Sequence, residues 1–363
     1  MKFLKKIIKA RNETLLTNED FWNWFNLNQK SFFKTIKGNK NIEKNFFDKL
    51  FPKINELKEG YFYLTGMYDD NTVELVLTAD GNVKNIVFVE ELVSCAPDIN
   101  GWKFTSLKPA LSIEDVNIGM AGYDFNKSNI KFYSQEIAEY PDEIDITIVH
   151  DDLTEENKNQ ISNGIYIFLD NYLGELDFVN NIDNLSIIGK REVKNELIPI
   201  DKLKDYLNWR QKEFIEKYES VYSNIKENAY SLFEAELENG SYLMAVINTD
   251  LLKWDSKASH PWISILILKY DGNNNNGMPN NFDFELLSQI EDEIMNELKD
   301  IDGYLNIGRQ TAGNEREIYF ASKDFRKPSK VFYKIQQLYS KNFEIDYDIY
   351  KDKYWQTFEK FIT

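Results

Sequence analysis

Trp262-Ile263-Ser264-Ile265-Leu266-Ile267-Leu268 decides the reading of this chain. A run this short and almost wholly apolar suits a strand covered on both faces. After it come the polar loop Asp271-Gly272-Asn273-Asn274-Asn275-Asn276-Gly277 and a helical stripe, Leu287, Ile290, Ile294 and Leu298, that ends near Gly303. Leu305, Ile307 and Arg309 then share one strand face, and Glu315 to Phe320 returns antiparallel after Thr311-Ala312-Gly313-Asn314. Pro328 opens a helix with Val331, Ile335 and Leu338 inward; Phe343, Ile345 and Tyr347 make a last strand, and Tyr350 to Phe361 a final helix. The order is strand, helix, strand, strand, helix, strand, a ferredoxin-like βαββαβ. Ahead of it, Ala229 to Leu237 and Tyr242 to Ile247 flank Glu238-Asn239-Gly240-Ser241, a hairpin signal because Asn and Gly accept positive φ at little cost.

The preceding half is also α+β. Thr17-Asn18-Glu19-Asp20 predicts a capping box, with a helix to about Ile36 that carries Phe21, Trp22, Trp24 and Phe25. A second helix over Ile42 to Leu57 is expected to bend or end at Pro52. Tyr61 to Tyr68 and Thr72 to Thr78 form a hairpin, residues 85 to 95 a helix, and Trp102 to Leu107, Ile130 to Ile137, Ile144 to Ile148 and Leu185 to Ile188 strands, with a helix over Ile161 to Tyr172. Thr72 to Ile188 offers a looser version of the same βαββαβ order. Met1 to Lys9 reads as a short amphipathic helix. These elements suggest two α+β domains of antiparallel sheets with helices on one face: an N-terminal domain over 1–198, a connecting helix over 199–224, and the ferredoxin-like domain over 225–363.

At 363 residues the chain exceeds one ordinary core, and 42% hydrophobic residues are enough to fill two. The net charge is −17, with the acid excess spread over both halves. Such a surface repels a phosphate backbone, so nucleic acid is not an expected partner, whereas a basic protein is. Cys95 is the only cysteine and reads as a small core residue; an intrachain disulfide and a multi-cysteine zinc site are excluded. No apolar run reaches the roughly 20 residues of a membrane span, which points to a cytoplasmic protein without membrane attachment.

The stretch Gly303-Tyr304-Leu305-Asn306-Ile307-Gly308-Arg309-Gln310-Thr311-Ala312-Gly313-Asn314-Glu315-Arg316-Glu317-Ile318-Tyr319-Phe320 resembles the bacterial family indexed as domain of unknown function 695. The strand opening at Tyr230, the Trp262 to Tyr270 strand with its Gly- and Asn-rich loop, and Trp355 agree, so the resemblance covers about 225–363. Phe21-Trp22-Asn23-Trp24-Phe25 and Thr78-Ala79-Asp80-Gly81 look like the N-terminal region of two-domain members from Bacteroidetes. The resemblance implies no activity. Fusion of similar proteins to a ribonuclease E inhibitor-like domain hints at protein binding.

Few residues carry the pattern of chemistry. His150-Asp151-Asp152 with Glu155 and Glu156 could serve a hard metal, but acidic residues also suit the first turn of a helix beginning near Thr154. His260, before Pro261 and Trp262, has no nameable nucleophile or orienting partner and reads as structural. Arg309 and Arg316, with Thr311 and the amides around Gly313, could hold a carboxylate or phosphate. Pairing with Glu315, Glu317, Glu297 or Asp300 is the plainer account of these arginines. The aromatics from Phe21 to Phe33 could form an interaction surface, though helical spacing makes them core. No Walker loop, dinucleotide fingerprint, nucleophile elbow or zinc-helix motif is present. The expectation is an uncharacterised, non-catalytic protein-binding or regulatory protein of inhibitor or immunity type, with no cofactor and no metal. The alternative is a small-anion binder or enzyme using Arg309 and Arg316. Oligomeric state is not legible.

Overall fold

The computed structural model describes residues 17–221, 229–238 and 240–362. The expected helix over Met1 to Lys9, Asn239 of the expected turn, and 222–224 of the expected connecting helix lie outside the described residues. Among the described residues no helix is long and apolar enough to cross a membrane. The chain divides into two compact units, one ending at Lys108 and one starting at Pro109.

In the first unit, α1 (Asn18–Lys37) starts at the Thr17 capping box, with Asp20 and Thr17 each accepting from the other's backbone amide. A π-helical turn (Glu43–Phe47) leads into α2 (Asp48–Leu57), which runs through Pro52 rather than ending there. Pro52 lies in the second turn, and the widened turn before it shifts the carbonyls a proline ring would meet. β1 (Phe62–Met67) and β2 (Val73–Thr78) pair antiparallel, α3 (Val83–Ser94) crosses over, and β3 (Trp102–Ser106) pairs parallel to β2. Phe21, Phe25 and Phe32 are fully buried and meet Trp102 and Phe104 edge-on or through one another, so these aromatics are core. Trp22 donates its indole N–H to the Leu92 carbonyl at 2.7 Å. Cys95 is exposed, contrary to expectation: it caps the C-terminus of α3, one step past the last helical residue, Ser94, and three past the last buried one, Leu92.

The second unit opens with the small hairpin β4 (Ile118–Met120) and β5 (Tyr123–Phe125). A four-stranded sheet follows, ordered β8-β7-β6-β9 and made of β6 (Ile130–Gln135), β7 (Asp145–His150), β8 (Asn184–Gly189) and β9 (Ile198–Pro199). β7 and β8 are parallel, linked by α4 (Lys158–Leu173) and α5 (Glu175–Asn181). The looser repeat of the βαββαβ order over Thr72 to Ile188 is not formed, because its strands fall into separate sheets. The division expected at 198 also differs from the one at 108. Leu203 and Leu207 of α6 (Leu203–Tyr218) are buried in one core with Ile146, Ile148 and Phe168, so this helix roofs the sheet instead of bridging domains.

The same unit carries a six-stranded antiparallel sheet ordered β10-β11-β13-β14-β12-β15. Its members are β10 (Tyr230–Glu236), β11 (Tyr242–Asn248), β12 (Trp262–Lys269), β13 (Tyr304–Ala312), β14 (Glu315–Ser322) and β15 (Glu344–Lys351). α8 (Asn281–Glu297) and α9 (Arg326–Tyr339), numbered after the short α7 (Thr249–Leu252), pack on one face. There Phe332 meets Phe320 and Tyr347. The other face is covered as well: Ile263, Ile307 and Tyr319 lie under Leu251, Trp355 and Phe358. Helices on one face only was therefore too simple. The last strand runs on to Lys351 because Ile345, Tyr347 and Ile349 keep the two-residue alternation, and the expected final helix shrinks to a 3-10 turn at Gln356–Phe361.

Candidate functional site

Antiparallel register puts Thr311 opposite Arg316 and Arg309 opposite Ile318, so Arg309, Thr311 and Arg316 share the face beneath α8. The expected anion cradle is brought together, but several of its donors are engaged. Arg309 donates two bonds from Nη1 to Glu291 of α8, at 2.9 and 2.8 Å. The partner is Glu291, not Glu315, Glu317, Glu297 or Asp300. Glu291 is a carboxylate inside the buried stripe of Leu287, Ile290 and Ile294, the signal that foretells an inward cation. Arg316 is buried, donates Nε to Thr311 Oγ1 at 3.0 Å, and lies over the Phe284 ring. Its Nη1 has no partner among the described residues. Burial, with Arg309 nearby, pulls the Arg316 guanidinium down to about 10. Gly313 occupies the turn at φ +57°, and the next amide, Asn314, is donated to the Gly277 carbonyl at 3.0 Å. That turn is thus tied to the Asn-rich loop.

Beside the arginines the sheet face continues onto β11 and β10. Met244 stands opposite Thr311 and Val246 opposite Arg309, then Leu232 opposite Val246, Glu234 opposite Met244, and Glu236 opposite Tyr242. Here Leu232 is 57%, Tyr242 55% and Met244 40% exposed, in contrast to the covered strands beyond. Tyr230 closes the strip, its hydroxyl donating to Asn306 Oδ1 at 2.9 Å. β10 is also an outer strand of the sheet.

The histidines are structural in geometry. His150 is fully buried at the end of β7; its Nδ1 accepts the Asp152 amide at 3.2 Å and its Nε2 lies 3.0 Å from the Asp124 carbonyl, so both ring nitrogens are engaged by backbone. α4 begins at Lys158, so Asp151, Asp152, Glu155 and Glu156 stand in the loop before it rather than in its first turn. Among the described residues no group of three or more His, Cys, Asp and Glu is placed to hold a metal. His260 Nδ1 lies 2.8 Å from Ser259 Oγ, and its carbonyl accepts the Trp355 indole N–H at 3.0 Å. Burial, reinforced by Lys323, holds the His260 ring neutral, down to about 3.

A second polar centre was not anticipated. Asp183, just before β8, receives Lys351 and Lys353 at 2.7 Å each, one on either carboxylate oxygen, and accepts the Ile144 amide at 2.7 Å. Burial disfavours the Asp183 charge, but the two ammonium groups outweigh it and the carboxyl sits below its usual range. Lys351 falls below the usual lysine range because burial outweighs its share of Asp183. Around it, Asp142 is bonded by Lys217, Tyr218 and Tyr354, and Gln356 donates to Glu143 at 3.2 Å. Asp183 and Lys353 lie 170 positions apart, so no local motif announces them. The one trace is Lys351 at the inward position after Ile345, Tyr347 and Ile349.

No curated protein and no solved structure matches the chain. The part that contains the six-stranded sheet does find a match, close to the range its Gly303 to Phe320 hairpin suggested: residues 232–363 are a domain of the family described as "Family of unknown function (DUF695)".

Proposed function

We propose that this protein is a non-catalytic, cytoplasmic binding module that takes a basic segment of another protein on the exposed face of the β10–β11 hairpin, in the manner of an inhibitor or regulator. The observation that carries this reading is the make-up of that face: Tyr230, Leu232, Tyr242 and Met244 exposed in one strip, with Glu234 and Glu236 across from Met244 and Tyr242. Single exposed apolar residues are ordinary, but a contiguous strip rimmed by charge is typical of protein docking. The outer position of β10 adds a row of backbone groups to which an extended segment could pair. The net charge of −17 favours a cationic partner and speeds the encounter. Selection of a random peptide library on the immobilised full chain tests this. Enrichment of peptides that combine Lys or Arg with apolar anchors, and loss of their binding in a Leu232→Glu, Met244→Glu variant, is the expected result. Enrichment of no such class, or equal binding by the variant, would refute it.

The anion reading of Arg309, Thr311, Gly313 and Arg316 is retained as a second proposal on one observation, the unpaired Nη1 of Arg316. It requires Glu291 to yield Arg309, so Glu291→Gln should raise phosphate affinity; unchanged affinity removes it. We also read the β12-to-β15 portion as ferredoxin-like. The neighbour order β13-β14-β12-β15, all antiparallel, supports that reading.

A further inference from the structure

A cleft of about 600 Å³ in the second unit has Lys351, Lys353, Asn180, Asn208, Gln211 and Trp262 among its walls. That volume is the size of an ordinary small-molecule site. Its chemistry is uneven. The side chains of Lys351 and Lys353 are only 11% and 3% exposed, and they share the single carboxylate of Asp183. Each ammonium also donates to one backbone oxygen, Asn180 O for Lys351 and Asp142 O for Lys353, and lies beside a ring, Trp262 for Lys351 and Phe214 for Lys353. Two buried ammonium groups thus share one directly contacting carboxylate, with Glu143 acting on Lys351 from farther off, and buried charge is expensive where its pairing is incomplete. The carboxamides of Asn180, Asn208 and Gln211 line the cleft, while Trp262 and Phe214 supply an apolar wall beside the lysines. Asp177 and Glu219 also line the cleft, but both are exposed and solvated, so they offset the buried charge weakly. Asp324 is bonded to Arg326 at 2.6 Å.

We propose that this cleft binds a small organic oxyanion, its carboxylate or phosphate end on Lys351 and Lys353 and its remainder between the carboxamides and Trp262. The site is separate from the hairpin face, and its ligand is recognised by charge at the lysines and by hydrogen bonding at the amides.

Isothermal titration of the full chain at low salt with inorganic phosphate, succinate and citrate as separate probes tests it and separates the two oxyanion types. Saturation at one site by at least one probe is expected, weakened about tenfold or more by Asn208→Leu with Gln211→Leu, because hydrogen bonds to a charged group are among the stronger ones. These two positions are on the more open side of α6, so an unchanged melting temperature is expected in that variant. Lys353→Met should abolish binding; since it removes part of a buried ion group, its fold is checked by circular dichroism. Lack of saturation with all three probes overturns the proposal, as does saturation that neither variant alters.

Discussion

At Gly308 the backbone adopts φ +139°, and a Cβ there would lie 2.1 Å from the Val246 carbonyl oxygen and 2.9 Å from Ile247 Cα. The register of β13 against β14 slips at this point, between Asn306 and Gly308, so the glycine permits a bulge that β11 presses against. Gly308→Ala is expected to destabilise the protein by about 3 kcal/mol or more in a denaturant titration, through backbone strain and steric clash. His260 makes a second prediction at this scale. Its folded pKa is depressed to about 3, below an unfolded value near 6.5, so the unfolded state binds the extra proton between those limits. Stability is full above about 6.5 and is lost as pH falls through that window, by roughly 2 kcal/mol between pH 7 and pH 5. The carboxylates held low, Asp142 and Asp183, act only at lower pH. His260→Gln should flatten the decline between pH 7 and 5, and an unchanged slope would show that another group titrates there. Both residues illustrate what was legible. The chain announces a glycine beside a strand arginine and a histidine before a buried strand, but the carbonyl that crowds one and the walls that dry the other come from distant strands.

Among the elements, those with strong local rules were read closely. α1 begins at the Thr17 box, and Thr17→Ala should cost about 1 kcal/mol by the loss of that cap. The strand-helix-strand-strand-helix-strand order from Trp262 was legible because each segment carries its own period and turn residues. What failed were places where tertiary packing overrides a local signal: α2 continues through Pro52, β15 outlasts its expected end, and Cys95 is exposed at a helix terminus. The candidate site was half legible. Arg309, Thr311 and Arg316 do share a face, but Glu291 reaches them from a helix 18 residues earlier. On the hairpin, alternation alone marks Leu232 and Met244 as one face, yet only the sheet order shows that face to be exposed. Because both side chains are solvent-accessible, the Leu232→Glu, Met244→Glu variant should unfold within about 0.5 kcal/mol of the parent per site. A large loss of stability would mean the face is covered by its own chain.

For the whole molecule, the Asp183 group carries the widest consequence, since it fixes the end of β15 and the residues after it to the start of β8 across the second unit. Removing the one carboxylate strands two buried ammonium groups, whereas removing one lysine leaves Asp183 paired. Asp183→Asn is therefore expected to cost about 3–5 kcal/mol and Lys353→Met distinctly less, measured by urea unfolding. The reverse order would contradict the sharing of one carboxylate argued for the cleft. The division after Lys108 rather than near 198 follows from the same long-range packing, because α6 contributes Leu203 and Leu207 to the middle core. At this scale the sequence was least informative: domain limits depend on which core a helix joins, and an amphipathic helix such as Leu203–Tyr218 fits either role until its neighbours are known. The most direct test of the binding account is amide hydrogen exchange of the full chain with and without a bound basic peptide selected on it. Slowed exchange confined to β10 and β11 is predicted, and protection elsewhere with the hairpin unchanged would contradict it.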